Sequence, residues 1–170
     1  MAEARGLAVV LSGGGARAAY QVGVLRYLAR EFPNDVPDIL TGVSAGGINA
    51  AFLAARQEPY SAKIEQLADM WRDLHIDQVF DVSLGDLAWR TVRWLGRLGS
   101  GGTSPLPHSK SMVDTKPLRA VLERELRAET GPIPGIHTSL ADGWLRAFAI
   151  TASSYTTGQS ITWVQTREDD

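Results

Sequence analysis

No cysteine occurs in the 170 residues, which excludes a disulfide framework and a thiolate metal site and suits a reducing compartment. Histidine is scarce as well. His75, His108 and His137 stand apart without the spacing of metal ligands, so each reads as a surface or loop residue, and neither a metal nor a cofactor is expected. No stretch approaches the ~20 apolar residues of a membrane span. Met1 to Arg5 carries both signs of charge ahead of an apolar run too short for the core of a signal peptide, so a cytoplasmic location is expected. An excess of one charge is missing too: 17 basic against 19 acidic residues leave a net charge of -2. That balance offers no electrostatic footprint for nucleic acid. What remains, 44% hydrophobic and 21% charged residues, is the composition of an ordinary soluble protein, and the length suits one domain over residues 1–170.

The order of patterns points to an α/β fold. Leu7 to Leu11 is a continuous apolar run bounded by Ser12 and three glycines, as expected of a parallel strand buried on both faces. Ala18, Val22, Leu25, Ala29 and Phe32 then recur at helical spacing, and Pro33 ends that helix. After a connection from Asn34 to Pro37, Ile39 and Leu40 open a second strand; Ala45, Ile48, Phe52 and Ala55 mark a second helix. Strand, glycine loop, helix, strand, helix implies a parallel sheet. Ser61 reads as the N-cap of a third helix with Ile64, Leu67, Ala68, Trp71 and Leu74 on one face. Residues 84–98 set leucines against Arg90, Arg93 and Arg97, with Trp89 and Trp94 at the boundary. That face reads first as solvated, with contact to an anionic membrane surface as the alternative. Residues 99–111, rich in Gly, Ser and Pro, read as a flexible loop. A helix from about Lys116 to Ala128 buries Leu118, Val121, Leu122 and Leu126, and strands at Leu145–Ser153 and Ser160–Thr166 flank a hairpin connection.

Two short motifs carry the chemistry. Gly42-Val43-Ser44-Ala45-Gly46 joins a strand to a helix, and a serine projecting from so tight a turn needs small residues two before and two after it. By itself the pentapeptide is an ordinary turn. Ser12-Gly13-Gly14-Gly15-Ala16-Arg17 places unhindered N–H groups at a helix N-terminus, where negative charge binds. One use is nucleotide or phosphate binding, with Asp35 near where a ribose-binding acid would stand, although Pro37 follows before the second strand begins. The other use is an oxyanion hole, in which preorganised donors lower an acyl-transfer barrier by ~3 to 4 kcal/mol each. Turns from adjacent parallel strands open on the same sheet edge, so donors and nucleophile would face one another. The pair is far more specific than either part.

Gly-Gly-Gly-Ala-Arg after an apolar strand, followed by Gly-Val-Ser-Ala-Gly-Gly, resembles the patatin-like phospholipase family. Weaker similarity extends through Leu25, Asp114-Thr115-Lys116-Pro117-Leu118 and Phe148 to Ala152 with its following Thr-Gly turn. The resemblance implies a three-layer α/β/α hydrolase with a mainly parallel sheet that cleaves acyl esters of phospholipids or related lipids through a Ser-Asp dyad. Ser44 would attack, Gly13, Gly14 and Gly15 would hold the oxyanion, and Gly42 and Gly46 would shape the elbow. Arg17 would steady the glycine loop or meet a substrate phosphate. A lipid substrate and peripheral membrane contact are the partners it implies. A non-catalytic relative of the hydrolase remains an alternative. The sequence departs from the family in one respect: the dyad aspartate belongs to an Asp-Gly-Gly or Asp-Gly-Ala motif, which is lacking here. Asp142-Gly143 reads as a tight turn, Asp114 as a helix start and Asp81 as a loop acid. The expectation is therefore an N-terminal, incomplete portion of the catalytic domain, inactive alone, with its aspartate beyond Asp170.

Overall fold

The computed structural model describes residues 6–75, 116–128, 131–154 and 157–167. The chain divides into two compact units, one of residues 1–73 and 122–170 and one of residues 74–121. The expected features at 84–98 and 99–111, together with Asp81, His108 and Asp114, lie outside the described residues. In the first unit, strands β1 (Ala8–Leu11), β2 (Ile39–Val43), β3 (Ala147–Ser153) and β4 (Ser160–Thr166) form one sheet in the order β1-β2-β3-β4. The first three run parallel, with Leu11 opposite Gly42 and Gly42 opposite Ile150. β4 is antiparallel to β3 because its connection is too short for a crossover; Ser154 N–H closes the hairpin on the Gln159 carbonyl at 2.8 Å.

Helices α1 (Ala18–Glu31), α2 (Ala45–Ala55), α3 (Tyr60–Asp73), α4 (Lys116–Leu126) and α5 (Pro134–Ala141) complete the described elements. One core joins Leu11, Leu40 and Phe148 of the sheet to Val22 and Leu25 of α1, Phe52 and Leu53 of α2, Ile64 and Leu67 of α3, and Ile136 and Leu140 of α5. This is the expected α/β architecture with a mainly parallel sheet. The described residues supply the sheet and the helices over one of its faces. The other face carries Val10 and Val164, which are 74% and 61% exposed.

Several local expectations are corrected. β1 is not buried on both faces: it ends the strand order, and Val10 points away from the helices. Phe32 lies beyond α1 and is exposed, since the residue before Pro33 is driven out of the helical region to φ -128. α2 occupies the expected stretch from Ala45 to Ala55, and nearly every residue from Ala45 to Ala54 is buried, as for a helix with neighbours all round. Ser61 is not a cap, because α3 begins at Tyr60 and Lys63 N–H takes the Pro59 carbonyl at 3.0 Å. Leu118, Leu122 and Leu126 of α4 are only half-buried, whereas Val121 is buried. Leu145 precedes β3 and is fully buried in the turn before it.

α5 has no counterpart in the sequence reading, although Pro134 at its first turn and Gly143 past its end are ordinary helix signals. It packs on α2 through Ser139, whose hydroxyl donates to the Ala54 carbonyl at 2.6 Å, and at Gly135, where a Cβ would land on the Ala55 carbonyl. Gly135→Ala is therefore expected to destabilise the protein by about 2 kcal/mol or more, read as a lowered urea midpoint with an unchanged m-value.

Lys63 is 3% exposed, with its ammonium 3.4 Å from the centroid of the Trp144 ring. Burial pushes its pKa from 10.5 down to about 8, against a smaller opposing pull from Glu58. The unfolded chain therefore binds more protons than the native one between about pH 8 and the ordinary lysine pKa. Stability should rise with pH across that window by about 1–3 kcal/mol. Urea titrations at several pH values check this, and Lys63→Met should flatten the dependence.

Candidate active site

The strand ends away from the site are closed by backbone pairing around Asp38. Its carboxylate accepts the Leu7 N–H at 2.8 Å, and its carbonyl accepts the Arg146 N–H at 2.7 Å. At the opposite, C-terminal edge β1 runs into Ser12 and the glycines while β2 runs into Ser44. The two turns face each other as the parallel pairing requires. A Cβ at Gly13 would stand 3.2 Å from Ser44 Cβ and 4.0 Å from Ser44 Oγ.

Ser44 is exposed and occupies φ 54, ψ -127, a conformation few side-chain-bearing residues adopt. It directly precedes α2, whose first turn closes when Ile48 N–H meets the Ser44 carbonyl at 3.2 Å. Yet its hydroxyl does not cap that helix, and no described residue hydrogen-bonds to it. A serine that is merely a turn or cap residue would use its oxygen locally. Here the oxygen is left to solvent at the positive end of the α2 dipole.

The flanking glycines make this turn possible. A Cβ on Gly42 would fall on the Gly46 carbonyl, and one on Gly46 would fall on the Leu11 carbonyl. Gly14 and Gly15 have φ 154 and 57, the second in the left-handed region that glycine enters without penalty. Gly15 to Arg17 form a short 3-10 turn leading into α1, closed by Arg17 N–H on the Gly14 carbonyl at 3.2 Å. The Arg17 side chain is exposed and hydrogen-bonds to none of the described residues, so it does not brace the loop in that way. The N–H groups of Gly13 and Gly14 make no backbone hydrogen bond among the described residues.

Sequence reasoning missed the support behind the loop. Gln21 Nε2 donates to the Ser12 carbonyl at 2.8 Å and to Ser12 Oγ at 3.1 Å, and Asn49, wholly buried, reaches Ala18, Gln21 and Trp71. A lone amide inside the apolar run from Ala45 to Ala55 was the available signal. The other candidates do not converge on Ser44. Asp35 precedes β2, at the far end of the sheet from the glycines, so the dinucleotide arrangement is not formed. Asp142 ends α5 and Gly143 turns the chain at φ 77, as the tight-turn reading expects. His137 lies exposed on α5. Among the described residues no cluster of three or more His, Cys, Asp or Glu could hold a metal, and no helix is long and apolar enough to cross a membrane.

Residues 9–167 match the family model described as patatin-like phospholipase. The chain belongs to the patatin-like phospholipase family. The match covers both glycine motifs and all four strands but the first residue of β1. Comparison with curated proteins and with solved structures found no match. At the level of the family, the patatin-like fold carries lipid acyl hydrolysis, which agrees with a strained, exposed serine beside a glycine loop.

Proposed function

We propose that the chain is a serine acyl hydrolase acting on acyl esters of phospholipids or related lipids, with Ser44 as nucleophile. One observation carries this reading. An exposed hydroxyl at φ 54 leaves its own helix uncapped while standing against the Gly13 loop. Strain held at a single residue that makes no structural use of its side chain is the mark of a site kept for chemistry.

In this mechanism Ser44 Oγ attacks the ester carbonyl carbon, and the negative charge that develops on the carbonyl oxygen is met by N–H groups of Gly13, Gly14 and Gly15. The N-termini of α1 and α2 add partial positive charge at the same place. Collapse of the tetrahedral species expels the alcohol, and water then hydrolyses the acyl-enzyme. A serine hydroxyl needs a base; since no described carboxylate hydrogen-bonds to Ser44, the reading assigns that role to an aspartate outside the described residues. Arg17, one turn from the oxyanion donors and with a guanidinium that hydrogen-bonds to none of the described residues, meets the phosphate of a phospholipid head group. On this reading the reaction takes place in the cytoplasm, which the cysteine-free composition suits, at a lipid surface.

A fluorophosphonate probe tests the assignment, and turnover of each variant is read, on protein that includes the aspartate base. Covalent labelling that maps to Ser44 and disappears in Ser44→Ala is the expected result; labelling elsewhere, or none, overturns it. Arg17→Gln is expected to raise KM for a phospholipid substrate about 10-fold while leaving KM for an uncharged nitrophenyl ester unchanged. Equal effects on both substrates would remove the phosphate role.

A further inference from the structure

We propose that Gln21 is a positioning residue for the oxyanion site, the last member of a one-way hydrogen-bond relay that runs from Trp71 through Asn49 and sets the direction of the Gly13 N–H. The inference rests on the acyl-hydrolase reading above. It begins from Asn49, a fully buried amide on a helix otherwise built from glycine and apolar residues. A polar group in that place is costly unless each of its atoms is partnered.

The two ends of the relay leave no choice about its direction. An indole N–H can only donate, so Trp71 Nε1, 2.7 Å away, requires Asn49 Oδ1 on its side. Asn49 Nδ2 is thereby turned toward the Ala18 carbonyl at 3.1 Å and Gln21 Oε1 at 3.5 Å. Gln21 must then offer Nε2 to Ser12, where it meets the main-chain carbonyl at 2.8 Å. That carbonyl can only accept. Flipping either amide would set donor against donor and acceptor against acceptor, so the bonds hold one another in a single sense.

The consequence lies in the Ser12–Gly13 peptide plane. In a trans peptide the C=O and the N–H point in opposite directions. Holding the Ser12 carbonyl toward Gln21 therefore fixes the Gly13 N–H in the opposite direction within the same plane. The restraint matters because three successive glycines lack the side chains that would otherwise limit rotation. Without it the plane can turn, and a donor counted on in the transition state is no longer preorganised.

The test uses the full chain as wild type, Gln21→Leu and Gln21→Glu; Gln21 is only half-buried on α1, so neither change opens the core. Both variants are expected to lower kcat for a nitrophenyl butyrate ester by about 10-fold, part of the ~10²–10³ lost with a whole oxyanion donor, while KM changes less than 2-fold. Glutamate accepts only when ionised but donates when protonated. The activity of Gln21→Glu relative to wild type should therefore recover below about pH 5, while the Gln21→Leu ratio stays flat; a side chain that merely packs would not show this. Independently of catalysis, the Gly13 amide resonance in proton–nitrogen NMR should shift or broaden in Gln21→Leu while α2 resonances stay in place. Wild-type kcat in both variants with an unmoved Gly13 resonance overturns the proposal. If the wild type neither turns over ester nor labels at Ser44, the hydrolase reading fails, and the Gly13 resonance still decides whether Gln21 orients the loop.

Discussion

Ser44→Gly is expected to abolish ester turnover and, at the same time, to raise the melting temperature. On the proposed mechanism the nucleophile is gone, and loss of a serine nucleophile lowers kcat by at least about 10⁴-fold. Stability moves the other way. At φ 54, ψ -127 a side chain holds the backbone in a sparsely populated region at a cost of about 1–3 kcal/mol. Glycine removes that cost, and against the gain stands only about 0.5–1 kcal/mol of extra freedom in the unfolded chain. The difference favours the variant by roughly 1 kcal/mol, a few degrees in melting temperature for a chain of this size. Ser44→Ala separates the two effects, since it loses the oxygen but keeps the Cβ and its strain: equally inactive, with an unchanged melting temperature. Calorimetry beside a nitrophenyl ester assay reads both quantities. Retained turnover in either variant would end the nucleophile assignment, and a destabilised Ser44→Gly would mean that the elbow holds no strain.

The second large effect is expected at the glycines of the elbow. A methyl group on Gly46 would lie on the Leu11 carbonyl and 2.5 Å from the Ser12 carbonyl oxygen; one on Gly42 would lie on the Gly46 carbonyl. These neighbours are main chain, in β1, its loop and α2, and cannot swing aside as a flexible side chain can. Gly42→Ala and Gly46→Ala should therefore exceed the ordinary overpacking cost of about 1–3 kcal/mol, lose labelling at Ser44, and lower the melting temperature by about 10 °C or more. Gly23→Ala is the control. It sits inside α1 with nothing within 4 Å of the added methyl, so helix propensity alone should make it stabilising by about 0.5–1 kcal/mol. Similar behaviour of Gly46→Ala and Gly23→Ala would show that the close approach of α2 to β1 is not what the glycines serve.

The elements most legible in the sequence were those in which local chemistry and tertiary packing agree. β4 occupies the expected Ser160–Thr166, and the α1 positions Ala18, Val22, Leu25 and Ala29 are all buried. A hairpin is set by a few turn residues and one face of a helix by spacing, so both are written locally. Val10 departs from the expected burial, and the extent of α2 burial is not legible, because an apolar run states that burial is favourable, not how many neighbours arrive. β1 lies at the end of the strand order and has too few; α2 is surrounded. α5 was missed because Ile136 and Leu140 mark its buried face too briefly for a period to show.

The sequence by itself determined the family, the α/β succession and the two glycine motifs, since each depends on residue types within a few positions of one another. Only the tertiary structure decided that those motifs meet. Parallel pairing of β1 with β2 carries Gly13 to Ser44 across the sheet edge, and the packing of α1 and α3 on α2 joins Gln21, Asn49 and Trp71 into one chain of hydrogen bonds. Such contacts depend on the closure of the whole core. Their distances are set by strand register and helix packing, which no single stretch of the chain encodes.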